Sequence, residues 1–105
     1  PDATPHEALR FAFPPGSMTG APKVRAMQLI DHYEPEGRGL YAGALGYQAP
    51  DGAFDFSVVI RTLMYDEALR RCTFHVGGAI TYDSDPEAEY AESLLKAEGV
   101  FRLFQ

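Results

Sequence analysis

The residues whose types and spacing could do chemistry lie near the end of the chain, in the stretch DSDPEAEYAESLLKA at residues 83–97. Glu89, Glu92 and Lys96 follow one another at intervals of three and then four, which keeps their side chains within about 60° of arc on one helical face. Two carboxylates and an ammonium group in this arrangement can hold a divalent cation beside an anionic ligand, or they can form an ordinary surface ion-pair ladder. The spacing alone leaves both interpretations open.

This face needs a helix beneath it, and the sequence indicates where that helix begins and how it packs. Ser84 or Asp85 can cap the helix, and Pro86 fits its first turn. A second side of the helix is apolar and carries Tyr90, Leu94, Ala97 and Phe101. Because this stripe lies about 140° from the carboxylate face, we expect the helix to pack on a sheet through the stripe while the carboxylates face a cleft or water.

Two further helices are predicted in the first third of the chain. Thr4 is followed by Pro5 at the first helical position and by Glu7 three residues after the cap, which is the pattern of a capping box. The segment GSMTGAPK at residues 16–23 predicts a loop with two glycines and two hydroxyls. That loop leads into a second helix, which we expect to end near Glu34.

The middle of the chain reads as strands. Three runs have strand-like composition, LYAGALGYQA, FDFSVVIRTLMY and CTFHVGGAITY, and the pair Asp51–Gly52 between the first two is a strong hairpin signal. The order of elements predicts an α+β fold, in which an antiparallel meander of about three strands carries two N-terminal helices and one C-terminal helix. We treat residues 1–105 as a single partial domain.

Composition limits the class of protein. The chain has 105 residues, 46% of them hydrophobic, and a formal charge of −6. Its nine Lys and Arg residues are scattered except for Arg70 and Arg71, which argues against a nucleic-acid partner. No apolar run is long enough to cross a bilayer, and the chain does not open on a signal-peptide pattern. We therefore expect a cytoplasmic protein with no membrane partner, in which the lone Cys72 is a small buried hydrophobe.

Other residues could take part in binding, each with a plain structural alternative. Gly77 and Gly78 lie inside a strand pattern, where they favour either close approach of a ligand or a bulge. Arg61 lies among apolar neighbours and needs a carboxylate partner, which can be a side chain such as Asp55 or a ligand. Tyr41 offers a hydroxyl to the same ligand, or it belongs to the core.

Four segments, in order, resemble a known family: GSMTGAPKVRAM, RGLYAGALGY, DGAFDFSVVIRT and VGGAITYDSDPEAEYAESLLKA. They are similar to the C-terminal portion of the chorismate-utilising enzymes, and the resemblance covers about Leu9 to Phe104. TGAPK followed by RAM resembles the two amidotransferase-dependent branches, and VGGAIT with DSDPEAEY favours aminodeoxychorismate synthase over anthranilate synthase. The resemblance implies Mg²⁺-dependent amination of chorismate for p-aminobenzoate and folate synthesis. Its amidotransferase-dependent branches also imply a glutamine amidotransferase partner.

The resemblance also implies roles for individual residues. Glu89 and Glu92 match the glutamates that hold Mg²⁺, directly or through water, and Lys96 matches a catalytic lysine one turn beyond them. The implied substrate-binding residues are Tyr41, Arg61, Gly78, Ala79, Ser17, Thr19 and Gly20. Among these, Tyr41 and Arg61 match the pair that binds the enolpyruvyl carboxylate.

Two departures and the short length qualify these expectations. Ala79 replaces a glycine, and Ala91 stands where a further glutamate is frequent. Because family enzymes are much longer, we expect the isolated chain to be inactive and to expose an apolar surface through which it self-associates. The alternatives are anthranilate synthase component I and a non-catalytic module that binds chorismate and Mg²⁺.

Overall fold

A computed structural model describes residues 3–105 and confirms the α+β class. The chain divides into two compact units, the first ending at Val59 and the second beginning at Ile60. The first unit contains α1 (Pro5–Ala12), α2 (Gly16–Thr19), α3 (Lys23–Tyr33), β1 (Ala44–Gln48) and β2 (Phe54–Val58). The second contains β3 (Leu63–Asp66), β4 (Arg71–Phe74), α4 (Pro86–Phe101) and a 3₁₀ turn (Arg102–Phe104). None of the helices in residues 3–105 is both long enough and apolar enough to span a membrane.

The first helix of the first unit, α1, begins where the capping rules place it. The Glu7 amide donates to Thr4 Oγ1 at 3.2 Å, and the Thr4 amide donates to Glu7 Oε2 at 2.9 Å, so the predicted capping box is confirmed. These hydrogen bonds from Thr4 lower the pKa of Glu7. The predicted loop at 16–23 differs from the structure, because Gly16–Thr19 form the one-turn helix α2 before α3 begins at Lys23.

The first unit ends in a hairpin. Strands β1 and β2 pair antiparallel, with Gly46 opposite Phe56. The Asp51–Gly52 turn forms as predicted: the Gly52 amide donates to Ala49 O at 3.0 Å, and Gly52 has φ +91°. A Cβ at Gly46 would overlap the carbonyl oxygen of Asp55 and the ring of Phe56, so close packing of the two strands requires a glycine there.

The predicted single meander is replaced by two separate hairpins. The run FDFSVVIRTLMY is not one strand, because Arg61 takes a left-handed backbone conformation with φ +50° and divides the run into β2 and β3. Strand β3 then pairs antiparallel with β4, with Leu63 opposite Phe74. Two sheets of two strands result instead of one sheet of three.

The second unit differs from the expectation in which part of α4 is covered. The predicted N-cap is confirmed, since Asp85 Oδ1 accepts a hydrogen bond from the Glu87 amide at 3.1 Å. The predicted packing through the apolar stripe is wrong for most of the stripe: Ala97 is buried, whereas Tyr90, Leu94 and Phe101 are 67%, 51% and 61% exposed. Cys72 is also exposed, contrary to the expectation that it is buried.

Candidate functional site

The carboxylate face of α4 is tied to the segment that follows β4. Lys96 Nζ lies 3.2 Å from Glu92 Oε1 and donates to the carbonyl oxygen of Gly77, also at 3.2 Å. Lys96 therefore combines the predicted ion pair with an anchor to the glycine segment. A lysine in this position fixes the Glu92 carboxylate relative to Gly77, a role that is distinct from proton transfer.

Gly78 lies beside the other carboxylate. A Cβ built on Gly78 would stand 3.1 Å from Glu89 Oε2, which is tighter than ordinary van der Waals contact. Residues 75–80 form no strand, although the sequence predicted one, and within residues 60–105 the amides of Gly78 and Ala79 donate no hydrogen bond. The segment thus leaves room for the Glu89 side chain and keeps two amide donors available to a ligand.

Arg61 occupies a turn and not the polar face of a strand. Thr62 Oγ1 donates to Ile60 O at 2.8 Å, a hydrogen bond between the two residues that flank Arg61. Arg61 is exposed and, within residues 60–105, makes no ion pair or hydrogen bond. A left-handed conformation at a non-glycine residue costs about 1–3 kcal/mol and is concentrated at functional sites. In its own unit, Arg61 therefore keeps its planar fork available for a ligand carboxylate.

In the first unit, Tyr41 is held on a tight double turn. The Tyr41 amide donates to Arg38 O at 3.1 Å, and the Gly43 amide donates to Leu40 O at 3.0 Å. Between them, Ala42 is 3% exposed and has φ +66°. A buried alanine in this conformation must be fixed by its surroundings. The backbone that carries Tyr41 is therefore held by these hydrogen bonds and by the packing around Ala42.

Arg38 is the residue near Tyr41 that the sequence analysis missed. Its Nη2 lies 2.6 Å from Glu34 Oε1, and its Nη1 donates to the carbonyl oxygen of Met18 at 2.9 Å. The guanidinium also stands 5.4 Å from the centroid of the Tyr41 ring. Hydrogen bonding to Glu34 raises the pKa of Arg38. The spacing of four between Glu34 and Arg38 was the available signal, but nothing in the sequence pointed to Met18.

The residues predicted to edge the substrate ring lie on and just after α2. Thr19 Oγ1 donates to Pro15 O at 3.1 Å, while Ser17 is exposed. Gly20 has φ +137°, and a Cβ there would lie 2.9 Å from the Cβ of Ala26, so glycine is required where the chain turns against α3. A cavity of about 660 Å³ in this unit is lined by residues that include Thr19, Met27, Ile30, Glu34, Arg38 and Tyr41. The structure therefore brings Thr19 and Tyr41 to one cavity, and Ser17 and Gly20 are not among its lining residues.

A family model described as chorismate binding enzyme matches residues 1–102. The chain belongs to this family. The resemblance predicted from the four sequence segments is thereby confirmed.

Similar proteins within the chorismate binding enzymes carry two kinds of name. The chain is 55% identical over 97 residues to aminodeoxychorismate synthase of Streptomyces pristinaespiralis, covering 92% of this chain and 13% of that protein. It is 49% identical over 102 residues to aminodeoxychorismate synthase of Streptomyces griseus, covering 97% of this chain and 14% of that protein. It is also 49% identical over 96 residues to anthranilate synthase component 1 of Cereibacter sphaeroides, covering 90% of this chain and 19% of that protein. The chain thus spans less than a fifth of the length of these relatives.

The polar side of α4 offers the type of donor that a hard divalent cation takes. Glu89 and Glu92 provide carboxylate oxygens, the donors that Mg²⁺ prefers, and Mg²⁺ commonly keeps waters and takes further oxygens from its substrate. The part of the chain that the structure describes contains no group of three or more His, Cys, Asp or Glu side chains that could hold a metal. Glu89 and Glu92 are therefore two candidate carboxylate donors of the type that Mg²⁺ takes.

Proposed function

We propose that this chain is the chorismate-binding and magnesium-binding segment of an aminodeoxychorismate synthase, which replaces the 4-hydroxyl group of chorismate with an amino group from ammonia and releases water. The polar side of α4 carries the proposal: Glu89 lies against Gly78, and Lys96 joins Glu92 to Gly77. Two acidic side chains held beside two open amides form a surface suited to a magnesium-bound carboxylate.

Each part of the proposed site has a separate task. Glu89 and Glu92 hold Mg²⁺, which when bound neutralises the ring carboxylate of chorismate and withdraws electron density from it. The open amides of Gly78 and Ala79 donate to a carboxylate oxygen, and the Arg61 guanidinium binds a carboxylate through two parallel hydrogen bonds. In the first unit, Thr19 and Tyr41 line one cavity, which is the part of that unit suited to the substrate ring. Lys96 keeps Glu92 oriented, since its ammonium group is already shared between Glu92 and Gly77.

The relatives support the choice of aminodeoxychorismate synthase. The two aminodeoxychorismate synthases from S. pristinaespiralis and S. griseus are 55% and 49% identical to this chain, and the anthranilate synthase component 1 from C. sphaeroides is 49% identical. Anthranilate synthase is therefore the second candidate. In either case we expect the isolated chain to be catalytically silent, because it spans only 13–19% of these three proteins.

Two reciprocal chimaeras test the proposal. In one, this chain replaces the matching segment of the S. pristinaespiralis aminodeoxychorismate synthase; in the other, it replaces the matching segment of the C. sphaeroides anthranilate synthase component 1. Each is assayed for its own product with ammonia and Mg²⁺. We expect the first chimaera to retain within about tenfold of the parental kcat/KM, equivalent to about 1.4 kcal/mol of transition-state stabilisation.

The outcomes separate the candidates. Greater retention in the second chimaera would make anthranilate synthase the better assignment. Loss of both products would contradict both enzyme assignments if both chimaeras fold, as judged by circular dichroism and thermal unfolding. Magnesium-dependent chorismate binding by the isolated chain, measured by calorimetry, would then leave a non-catalytic binding module as the function.

A further inference from the structure

We propose that Arg38 is a positioning residue that fastens the turn carrying Tyr41 to the end of α2, the helix that carries Thr19. The two segments are separated in sequence by the whole of α3. The ligand side of this inference rests on the proposed function, whereas the fastening itself is a property of the first unit alone.

Every nitrogen of the Arg38 guanidinium has a partner. Its Nε donates to Glu34 Oε2 at 2.9 Å and its Nη2 to Glu34 Oε1 at 2.6 Å, which is the fork-to-fork geometry of a bidentate pair. Its Nη1 donates to Met18 O at 2.9 Å. The pair is partly sheltered, with side-chain exposures of 22% for Arg38 and 36% for Glu34. The Arg38 side chain thus connects the end of α3 and the end of α2 to the turn that carries Tyr41.

The contact with Met18 satisfies a backbone group that α2 cannot satisfy itself. The last carbonyl groups of any helix have no partner within the helix, and a cation near them is favoured by the helix dipole. At the end of α2 the Gly20 amide donates a hydrogen bond to Gly16 O at 2.8 Å, and Arg38 donates one to Met18 O. Arg38 therefore holds the last turn of the one-turn helix, which ends at Thr19.

The same contacts argue against a substrate role for Arg38. Its charge is already neutralised by Glu34 and its fork is occupied, so it has no bidentate site left for a ligand carboxylate. Arg61 is the opposite case, because it is exposed and makes no ion pair within residues 60–105. Of these two arginines, Arg61 is available to a ligand and Arg38 is committed to the protein.

Arg38 acts on Tyr41 through the turn and through the ring. Its carbonyl oxygen accepts the Tyr41 amide at 3.1 Å, while its guanidinium lies 5.4 Å from the Tyr41 ring centroid. The next residue, Ala42, is in a strained conformation that persists only while its surroundings hold it. Loss of the Arg38 contacts should therefore let the Tyr41 ring and the Thr19 hydroxyl move independently.

The test compares Arg38→Lys with Arg102→Lys in the 105-residue chain. Arg102 makes a similar pair with Glu98 at 3.1 Å, four residues away, but its side chain is 70% exposed. Lysine keeps the charge but cannot make the fork and the Met18 contact together. Signals of the Tyr41 ring and the Thr19 amide are recorded by NMR with and without Mg²⁺ and chorismate, and chorismate affinity is measured by calorimetry. We expect Arg38→Lys to shift both signals and to weaken chorismate binding about tenfold, and Arg102→Lys to change neither.

A charge-reversed variant, Glu34→Arg/Arg38→Glu, separates fastening from simple stabilisation. It restores an ion pair, yet a carboxylate at position 38 cannot donate to Met18 O. We expect the melting temperature to recover while the Tyr41 and Thr19 signals stay displaced. Native signals in the reversed variant, or in a folded Arg38→Lys chain, would overturn the positioning role. Absence of chorismate binding by the unaltered chain would overturn the proposed function alone, because the ligand-free signals still decide the fastening.

Discussion

The two sides of α4 are used in opposite ways. Its polar side, with Glu89 and Lys96, is held against the Gly77–Gly78 segment of its own unit. Its apolar side leaves Tyr90 and Leu94 largely exposed. An amphipathic helix on the surface of a globular protein normally does the reverse, with its apolar side buried against the core and its charges in water. The difference is that the charged side of α4 makes contacts with a neighbouring segment, whereas most of the apolar side is exposed in residues 3–105.

The largest effect on Mg²⁺ affinity should follow from removing a carboxylate from the polar side of α4. Glu92→Gln removes one of the two proposed metal carboxylates while keeping the size of the side chain. Since loss of outer-shell partners alone weakens metal binding by about 10–100-fold, we expect Mg²⁺ affinity in the presence of chorismate to fall by about 100-fold. Calorimetric titration of the 105-residue chain measures this.

Glu98→Gln is the matched control for that prediction. Glu98 also makes an ion pair four residues away on α4, with Arg102 at 3.1 Å, but it lies away from the Gly77–Gly78 segment in the helical wheel. We expect Glu98→Gln to leave Mg²⁺ affinity unchanged. Equal weakening in both variants would mean that general electrostatics, and not a metal site, governs binding.

A smaller effect should follow from adding one methyl group beside the polar side. Gly78→Ala places a Cβ 3.1 Å from Glu89 Oε2, so the carboxylate must shift by a few tenths of an ångström. We expect Mg²⁺ affinity to fall about tenfold, with the circular dichroism spectrum unchanged because Gly78 is exposed. Shortening the side chain with Glu89→Asp in the same chain should recover part of the loss. A Gly78→Ala chain with unchanged Mg²⁺ affinity would show that the position of the Glu89 carboxylate does not depend on the absence of a side chain at Gly78.

The sequence was most informative where short-range rules act. The cap of α1 by Thr4 and the cap of α4 by Asp85 were both predictable, because each depends on residues within one turn. The division of the second strand run was not, since the apolar alternation approaches Arg61 without a glycine or proline to mark the left-handed residue. An exposed apolar surface was expected, but its place on the stripe of α4 was not, because burial depends on which surface is present to pack against.

The candidate site shows the same difference between short-range patterns, which the sequence reveals, and long-range contacts, which it does not. The spacing of Glu89, Glu92 and Lys96 was visible from helical periodicity, and the structure keeps Glu92 and Lys96 paired. The contact from Arg38 to Met18 joins residues 20 positions apart. No local pattern encodes such a contact, so only the folded chain shows which arginine is committed to structure.

The apolar side should determine association more than stability. Leu94 is 51% exposed. Burying this exposed half in a self-associated form would contribute roughly 1 kcal/mol to the free energy of association. We therefore expect Leu94→Glu to weaken self-association about fivefold in sedimentation equilibrium, with little change in the free energy of unfolding. Leu95→Glu, on another side of α4, should change association less. A wild-type chain that stays monomeric at high concentration would contradict self-association through this stripe.

The smallest predicted effect concerns Gly99, which lies in α4 with no atom within 4 Å of a Cβ placed there. Alanine is favoured over glycine inside a helix by about 0.8–1.0 kcal/mol, and somewhat less near a helix end. We expect Gly99→Ala to raise the free energy of unfolding by about 0.5 kcal/mol in urea titrations and to leave Mg²⁺ affinity intact. The pair Gly78→Ala and Gly99→Ala then contrasts one methyl group beside Glu89 with one in open space. If both variants lost Mg²⁺ affinity equally, the loss would reflect a disturbed helix, and close approach of Gly78 to Glu89 would no longer explain it.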